Sequence, residues 1–329
     1  MTDQRPRLVQ PVPDECLHAI VRKAFGDAAE LHGSRLLKGG QFNTAYYLET
    51  RNPGRRIVLR IAPADDRALF RYERGMMAAE PWIYRRLAEA GIPTPGVVAL
   101  DTTRSVLDRV YILQEYVDAL PLNDAAVPPE ARPRLMREAG RYTARIHAIP
   151  ADEFGWPARN GALRGGTWTQ VFGDLLTETV EEALLQDVIT AGQAQAALAR
   201  FEVRRAAFDA CRSPVLVHND LWAPNILVGE VDGQWSVRAI IDADRALFAD
   251  REFEYILWDD DAFHADFMAG YGAPLEDTAN AAFRRRFYKF YWYLFAAWAY
   301  RAQIWRPETH VWTRGVALEA LDSILNAAD

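Results

Sequence analysis

Residues 215–244 place the tightest constraint on what this chain can fold into. Three short β segments, 215–217, 225–228 and 235–241, sit among long helical stretches, and Asp232-Gly233 reads as the hairpin turn between the last two. The apolar run Leu216-Val217 ends in His218-Asn219-Asp220, and Ala239-Ile240-Ile241 ends in Asp242-Ala243-Asp244. Asn225 follows Asp220 by five residues, where the chain becomes apolar again. The hairpin brings both strand ends toward one place, so the fold has to gather two or three carboxylates and an amide in a small volume.

The remaining pattern divides the chain. A helix is expected over 15–25, and residues 35–62 read as strand, Gly-rich turn, strand, turn and strand, with Asn52-Pro53-Gly54 as the second turn. A helix over 66–90 ends at Gly91, ahead of Pro93-Thr94-Pro95, and strands follow at 97–101 and 110–116. Beyond Pro121 long helices dominate, at 129–147, 168–191, 193–211, 283–305 and 311–327. The expected architecture is α+β: a mainly antiparallel sheet lobe with one key helix over residues 1–115, and a mainly helical lobe over 116–329, with a cleft between them. At 329 residues the chain is about twice a ~150-residue domain, which accommodates two such lobes.

Composition removes several classes. Half of the residues are hydrophobic and a quarter charged, which excludes disordered, collagen-like and disulfide-scaffold chains. The net charge of -7 argues against a broad nucleic-acid surface. Cys16 and Cys211 give neither a disulfide framework nor a metal-ligand spacing, which points to a reducing compartment. The N-terminus lacks the apolar core of a signal peptide, and the longest apolar stretch, 290–300, falls short of the ~20 residues a bilayer requires. A cytoplasmic protein without membrane contact is expected. Of 38 cationic residues only Lys23, Lys38 and Lys289 are lysines, so a task that usually falls to lysine has few candidates.

An Asp that orients and deprotonates an attacking hydroxyl, with an Asn and a second Asp holding Mg2+ against nucleotide phosphates, is a set suited to phosphoryl transfer. The sequence resembles the aminoglycoside phosphotransferase family, small-molecule kinases related to the protein kinases. The resemblance rests on the loop from His218 through Asp220 to Asn225, of the form His-x-Asp-x-x-x-x-Asn, and on Ile241-Asp242-Ala243-Asp244, of the form Ile-Asp-x-Asp/Glu. It implies a protein-kinase-like bilobal fold, Asp220 as catalytic base, Asn225 and Asp242 as metal ligands, and His218 and Asp244 in support of the site or on its substrate side. Asp250, in a loose match to the family's Gly-Asp-Pro-x-x-Asp, is expected to brace the catalytic loop; Ala249, Arg251 and Glu254 replace the other named positions.

The same resemblance extends to the N-terminal lobe. Gly39, Gly40 and Asn43 match a Gly-Gly-x-x-Asn hairpin whose backbone lies over phosphates. Arg60, in Ile57-Val58-Leu59-Arg60-Ile61, stands where relatives carry the lysine that meets the α and β phosphates. Its planar fork differs from a compact ammonium, and Lys38 is a candidate helper. Glu80 is the expected partner of that cation, with Glu73, two helical turns earlier, as the alternative. In the 110–118 segment the Glu115 carbonyl and the Val117 amide are expected to meet the nucleobase through backbone atoms.

Other features read as structure. His147 ends a helix, Phe287, Tyr291, Phe295 and Trp298 form a core stripe, and Arg284-Arg285-Arg286 reads as a solvated helix face. Residues 242–266 hold nine acids and two arginines, a net of 9 - 2 = 7 negative charges. The expectation is therefore an ATP- or GTP-dependent, Mg2+-requiring kinase acting on a hydroxyl of a small, cationic molecule, foremost an antibiotic of aminoglycoside, basic-peptide or nucleoside type. A metabolic kinase of fructosamine, choline or homoserine type and a nucleotide-binding pseudokinase are the alternatives.

Overall fold

The computed structural model describes residues 8–37, 40–65, 69–158, 161, 163–258 and 264–327. Helix α1 (Asp14–Phe25) leads into β1 (Glu30–Leu36), β2 (Thr44–Arg51) and β3 (Arg55–Ile61), and α2 (Met76–Glu89) precedes β4 (Val97–Asp101) and β5 (Tyr111–Glu115). These strands form an antiparallel sheet in the order β1-β2-β3-β5-β4. Buried and half-buried residues alternate along β2, the mark of a strand with one covered face. The cover is α1: Leu17, Ile20 and Val21, spaced for one helical face, pack on Tyr46, Leu48, Ile57 and Leu59.

Helix α2 is shorter than its sequence pattern implies. Gly75, with φ 92°, caps its N-terminus in the left-handed region, which prevents the helix from running further back. Residues 71–75 are turns, so Glu73 precedes the helix and lies off the face that carries Glu80. Ile83, Tyr84 and Leu87 of α2 pack into an apolar cluster that also holds Ile226 and Ile240 from the carboxylate-bearing hairpin. The breaker Pro93-Thr94-Pro95 is tied to the same hairpin, because the Ile240 amide donates to the Pro93 carbonyl at 2.8 Å. One helix thus belongs to the sheet by sequence and to the hairpin by packing.

The rest of the chain comprises β6 (Leu120–Pro121), α3 (Arg132–Ile146), β7 (Phe154–Pro157), β8 (Leu163–Gly166), α4 (Trp168–Leu185), α5 (Ala191–Val203), α6 (Arg205–Asp209) and β9 (Val215–Val217), then β10 (Ile226–Val231), β11 (Gln234–Ile240), β12 (Leu247–Ala249), α7 (His264–Tyr271), α8 (Ala279–Ala302) and α9 (Pro307–Leu325). The expected hairpin is present, since β10 pairs with β11 in a three-stranded sheet completed by β6. A second small sheet runs β8-β7-β12-β9. β6, β7, β8 and β12 are too short for an alternation to register in sequence. The helix expected over 193–211 divides into α5 and α6 at Arg204, whose φ of -110° leaves the helical region, and the break lets Phe208 stack on Phe172 at 5.0 Å. The stripe of Phe287, Tyr291, Phe295 and Trp298 on α8 is buried, as its spacing implies. No helix among the described residues is long and apolar enough to cross a membrane.

Helices α3 and α7 touch backbone to backbone. A Cβ on Gly140 would lie 2.1 Å from the Phe267 carbonyl oxygen, and one on Gly270 would lie 1.9 Å from that of Arg137. Because backbone cannot rotate out of the way as a side chain can, Gly140→Ala is expected to cost at least the ~1–3 kcal/mol typical of overpacking. Urea denaturation measures this, and an unchanged midpoint would mean that the two helices separate freely.

Candidate active site

Strand β9 delivers His218, Asn219 and Asp220 into a loop that is held from behind. Glu254, fully buried, accepts hydrogen bonds from the backbone amides of His218 at 2.7 Å and Asn219 at 3.1 Å. Asn219 sits in the left-handed region at φ 63°, a conformation Asn tolerates better than most residues, and its side-chain Nδ2 donates to the Arg245 carbonyl at 3.1 Å. A single 3-10 turn, Ala223–Asn225, folds the chain back. Asn225 Nδ2 then donates to the Asp220 carbonyl at 2.8 Å and to Asp220 Oδ2 at 3.0 Å. The Asp220 carboxylate is fixed by its own loop.

At the end of β11 the chain turns sharply. Asp242 is left-handed at φ 64°, and its amide donates to the hydroxyl of Tyr84 on α2 at 3.0 Å. Arg60 reaches from β3 into this corner, 8% exposed, and pairs with Glu80, with Asp242, and with Asp244 at 2.9 Å. Asn43, from the Gly-rich segment, donates to Asp244 Oδ2 at 3.2 Å. Asp220, Asn225, Asp242, Asp244, Arg60, Glu80 and Asn43 therefore form one contiguous group, although they come from five separate stretches of the chain.

Electrostatics in this group follow from burial. Glu80 is pushed up from 4.5 to about 8, chiefly by burial and against the pull of Arg60, with Asp244 and Asp242 adding repulsion. Its Oε2 is buried without a hydrogen-bond partner. Asp220 is raised by burial and then by the Asp242 charge, while Arg245 opposes the shift. Asp242 is raised by burial, Arg60 pulling it down and Asp244 pushing it up. His218 is lowered by burial, and its ring meets the Ile241 carbonyl at 3.1 Å behind the loop.

Some expectations hold in three dimensions and others resolve differently. Glu80 is the partner of Arg60, whereas Glu73 pairs with Arg245 at 2.6 Å. Asp250 does not brace the loop: it accepts from Arg284 Nε at 2.8 Å and from the Tyr288 hydroxyl at 2.7 Å, and Glu254 takes the bracing position. The Arg284-Arg285-Arg286 run is not a solvated face either. Successive helical residues point ~100° apart, so one of three turns inward, and Arg284 is 2% exposed against Asp250. His147 lies behind the loop, 2.8 Å from the Tyr271 hydroxyl and 3.6 Å from Glu254. Gly40 flanks the group from the loop before β2, while Gly39 and Lys38 lie outside the described residues. Glu115 ends β5 opposite Ile57 of β3, three residues from Arg60, and Val117 follows it in the connection to β6. Tyr84 and Arg245 were not singled out by sequence; the one signal for Arg245 was a cation directly after the Asp242-Ala243-Asp244 acids.

Beside the loop lies a cavity of about 250 Å3, lined among others by Met136, Leu221, Trp222, Pro224, Tyr255 and Phe267. Trp222 is 46% exposed, unusual for an aromatic residue two positions from a fixed carboxylate. No cluster of three or more His, Cys, Asp or Glu able to hold a metal ion is found among the described residues. Mg2+ asks for little protein: one or two carboxylates, the remaining ligands coming from phosphates and water. The oxygens of Asn225 and Asp242 fit that requirement.

The sequence model described as the phosphotransferase enzyme family matches residues 34–291. Among curated proteins none matches the chain. Among solved structures, the aminoglycoside phosphotransferase APH(4)-Ia is 18% identical with a TM-score of 0.67, over 96% of this chain and 100% of that one. A candidate fructosamine-3-kinase from Haemophilus somnus 129PT is 16% identical with a TM-score of 0.66, over 94% and 97%. Another from Thermobifida fusca YX-ER1 is 20% identical with a TM-score of 0.65, over 92% and 98%. At these identities the likeness is one of fold, and the fold is the kinase-like α+β arrangement expected above.

The raised Glu80 carboxyl links the group to stability. Between 4.5 and about 8 the folded chain holds a proton that the unfolded chain has released. The stability that this proton brings is complete below the unfolded value and is lost as pH rises through the folded one. Urea unfolding of the metal-free protein at about pH 5.5 and about pH 8.5 should therefore show a fall that is shallower in Glu80→Gln. Equal slopes in the two proteins would contradict the protonation.

Proposed function

This chain belongs to the phosphotransferase enzyme family, and from that membership we propose that it moves the γ-phosphoryl group of ATP or GTP onto a hydroxyl of a small molecule. The observation that carries the proposal is the convergence of Asp220, Asn225, Asp242 and Arg60 on one corner, from elements far apart in sequence. In this reading residues 1–115 hold the nucleotide, with its base against the backbone of Glu115 and Val117 and its phosphates under Gly39, Gly40 and Asn43. Asp220 is the base that aligns the acceptor hydroxyl and receives its proton. Its fixed orientation, its burial and the neighbouring Asp242 charge favour a carboxyl whose affinity for a proton is raised.

Mg2+, when bound at Asn225 and Asp242, would supply charge neutralisation for the phosphates. Arg60 is the chain's own cation for the same task. It is paired with Glu80, Asp242 and Asp244, contacts that fix the orientation of its guanidinium at this corner. Asp244, tied to both Arg60 and Asn43, links the Gly-rich segment to the metal corner. The intact set of Asp220, Asn225 and Asp242 argues for an enzyme over a binding-only pseudokinase, and a cytoplasmic location accords with its nucleotide supply.

For the acceptor, an antibiotic with a cationic group is the favoured class. The negative charge concentrated in residues 242–266 supports it, and APH(4)-Ia has been solved in complex with ADP and hygromycin B. The cavity lined by Leu221 and Trp222, the residues that follow Asp220, adds that the acceptor has an apolar face for Trp222, Tyr255 and Phe267. A fructosamine-type metabolic kinase is the second reading, favoured by the candidate fructosamine-3-kinases of comparable fold similarity.

Asp220→Ala is expected to lower kcat by about 10^2–10^4 while calorimetry shows nucleotide binding retained; an unchanged kcat would remove Asp220 from the chemistry. ADP release measured across aminoglycosides, basic-peptide and nucleoside antibiotics, fructosamines, choline and homoserine should single out one class. With that acceptor, Trp222→Ala should raise its KM and leave the KM for nucleotide unchanged. A reversed pattern would place the acceptor elsewhere.

A further inference from the structure

One buried cation beside the site remains without a role in the reading above. Arg245 follows Asp244 directly, and its side chain enters a box built by three other parts of the chain. Its Nη2 pairs with Glu73 Oε1 at 2.6 Å and its Nη1 donates to the Tyr72 hydroxyl at 3.0 Å, both in the turns ahead of α2. Its guanidinium lies 5.3 Å from the ring centroid of Phe42, in the Gly-rich segment, and 5.1 Å from that of Phe295 on α8. Its own carbonyl accepts from Asn219 in the catalytic loop at 3.1 Å. Glu73 is in turn oriented by the Phe70 amide at 3.0 Å and by Gln303, just after α8, at 3.1 Å.

We propose that Arg245 is a positioning residue for the nucleotide: it sets the place of Phe42, and with it the Gly-rich segment, relative to the catalytic loop. The inference rests on the kinase reading. A planar guanidinium suits this task because its edges satisfy Glu73 and Tyr72 while its faces remain free for rings. Phe42 has no covalent neighbour in a strand or helix, since it lies in the segment between β1 and β2. Its contact with Arg245 adjoins the Asn43–Asp244 hydrogen bond, so two adjacent residues of the segment are held by two adjacent residues that follow Asp242. Lysine at position 245 retains the charge for Glu73 but lacks the planar fork and the flat face of a guanidinium.

The test is calorimetric binding of Mg2+·AMP-PNP to the full chain, as a double-mutant cycle. Arg245→Met and Phe42→Leu should each weaken binding about tenfold, and the double variant should be no weaker than the poorer single one, the signature of residues acting through one contact. Arg245→Lys should recover part of the loss. Tyr72→Phe, which removes one hydroxyl and keeps the ring, should weaken binding two- to fourfold and serves if Arg245→Met does not fold. Affinities equal to the wild type, or losses that multiply in the double variant, would overturn the positioning role. Failure of the wild type itself to bind Mg2+·AMP-PNP would instead overturn the kinase reading.

Discussion

Too many carboxylates around too few cations is the condition on which the rest of this structure depends. Glu73, Glu80, Asp220, Asp242 and Asp244 lie in one region, opposed by the guanidinium groups of Arg60 and Arg245. Unpaired charges of this kind cannot be buried at tolerable cost, so each carboxylate either takes a cation or holds its proton. Both responses occur. Arg60 is shared among Glu80, Asp242 and Asp244, and Glu80 still retains an affinity for a proton well above that of an ordinary carboxyl. The cluster thereby carries an excess of negative charge that its two guanidinium groups only partly offset.

This electrostatic demand also organises the architecture. Arg60 comes from the five-stranded sheet, Glu80 from α2, and Asp242 and Asp244 from the end of the β10–β11 hairpin, so satisfying the charges ties the two parts of the chain together. Apolar packing does the same work alongside, with Ile83, Tyr84 and Leu87 of α2 clustered with Ile226 and Ile240 of the hairpin. Tyr84 joins both systems, since its ring is in the cluster and its hydroxyl accepts from the Asp242 amide. Behind the loop that carries Asp220 the polar support is independent: Glu254 holds two backbone amides, and Asp250 with Arg284 and Tyr288 fixes the segment that leads to Glu254.

Much of the site was legible in the sequence because its residues fall at the ends of short apolar runs, where a strand must stop and a polar side chain can face a cleft. The hairpin turn at Asp232-Gly233 and the spacing from Asp220 to Asn225 and Asp242 made the convergence a local deduction. Glu80 is expected with Glu73 left open; the left-handed Gly75 that begins α2 puts Glu73 outside the helix, and its partner Arg245 lies 172 residues away, which no local pattern shows. Likewise a run of three arginines on α8 reads as polar until its neighbours are known. Arg284 is buried because Asp250, 34 residues away in sequence, needs a cation in a place water cannot reach.

By itself, then, the sequence determined the kind of chemistry, the α+β division and the motif residues, since these follow from residue types, periodicities and turn signals that act over a few positions. The tertiary structure decided the partnerships: which glutamate meets Arg60, which carboxylate holds the Asp220 loop, and that Arg245 meets Phe42 at the same corner. The reason is physical. A buried charge is stable only against whatever opposite charge the whole fold delivers to it, and that delivery is settled by packing between segments that do not know of one another along the chain.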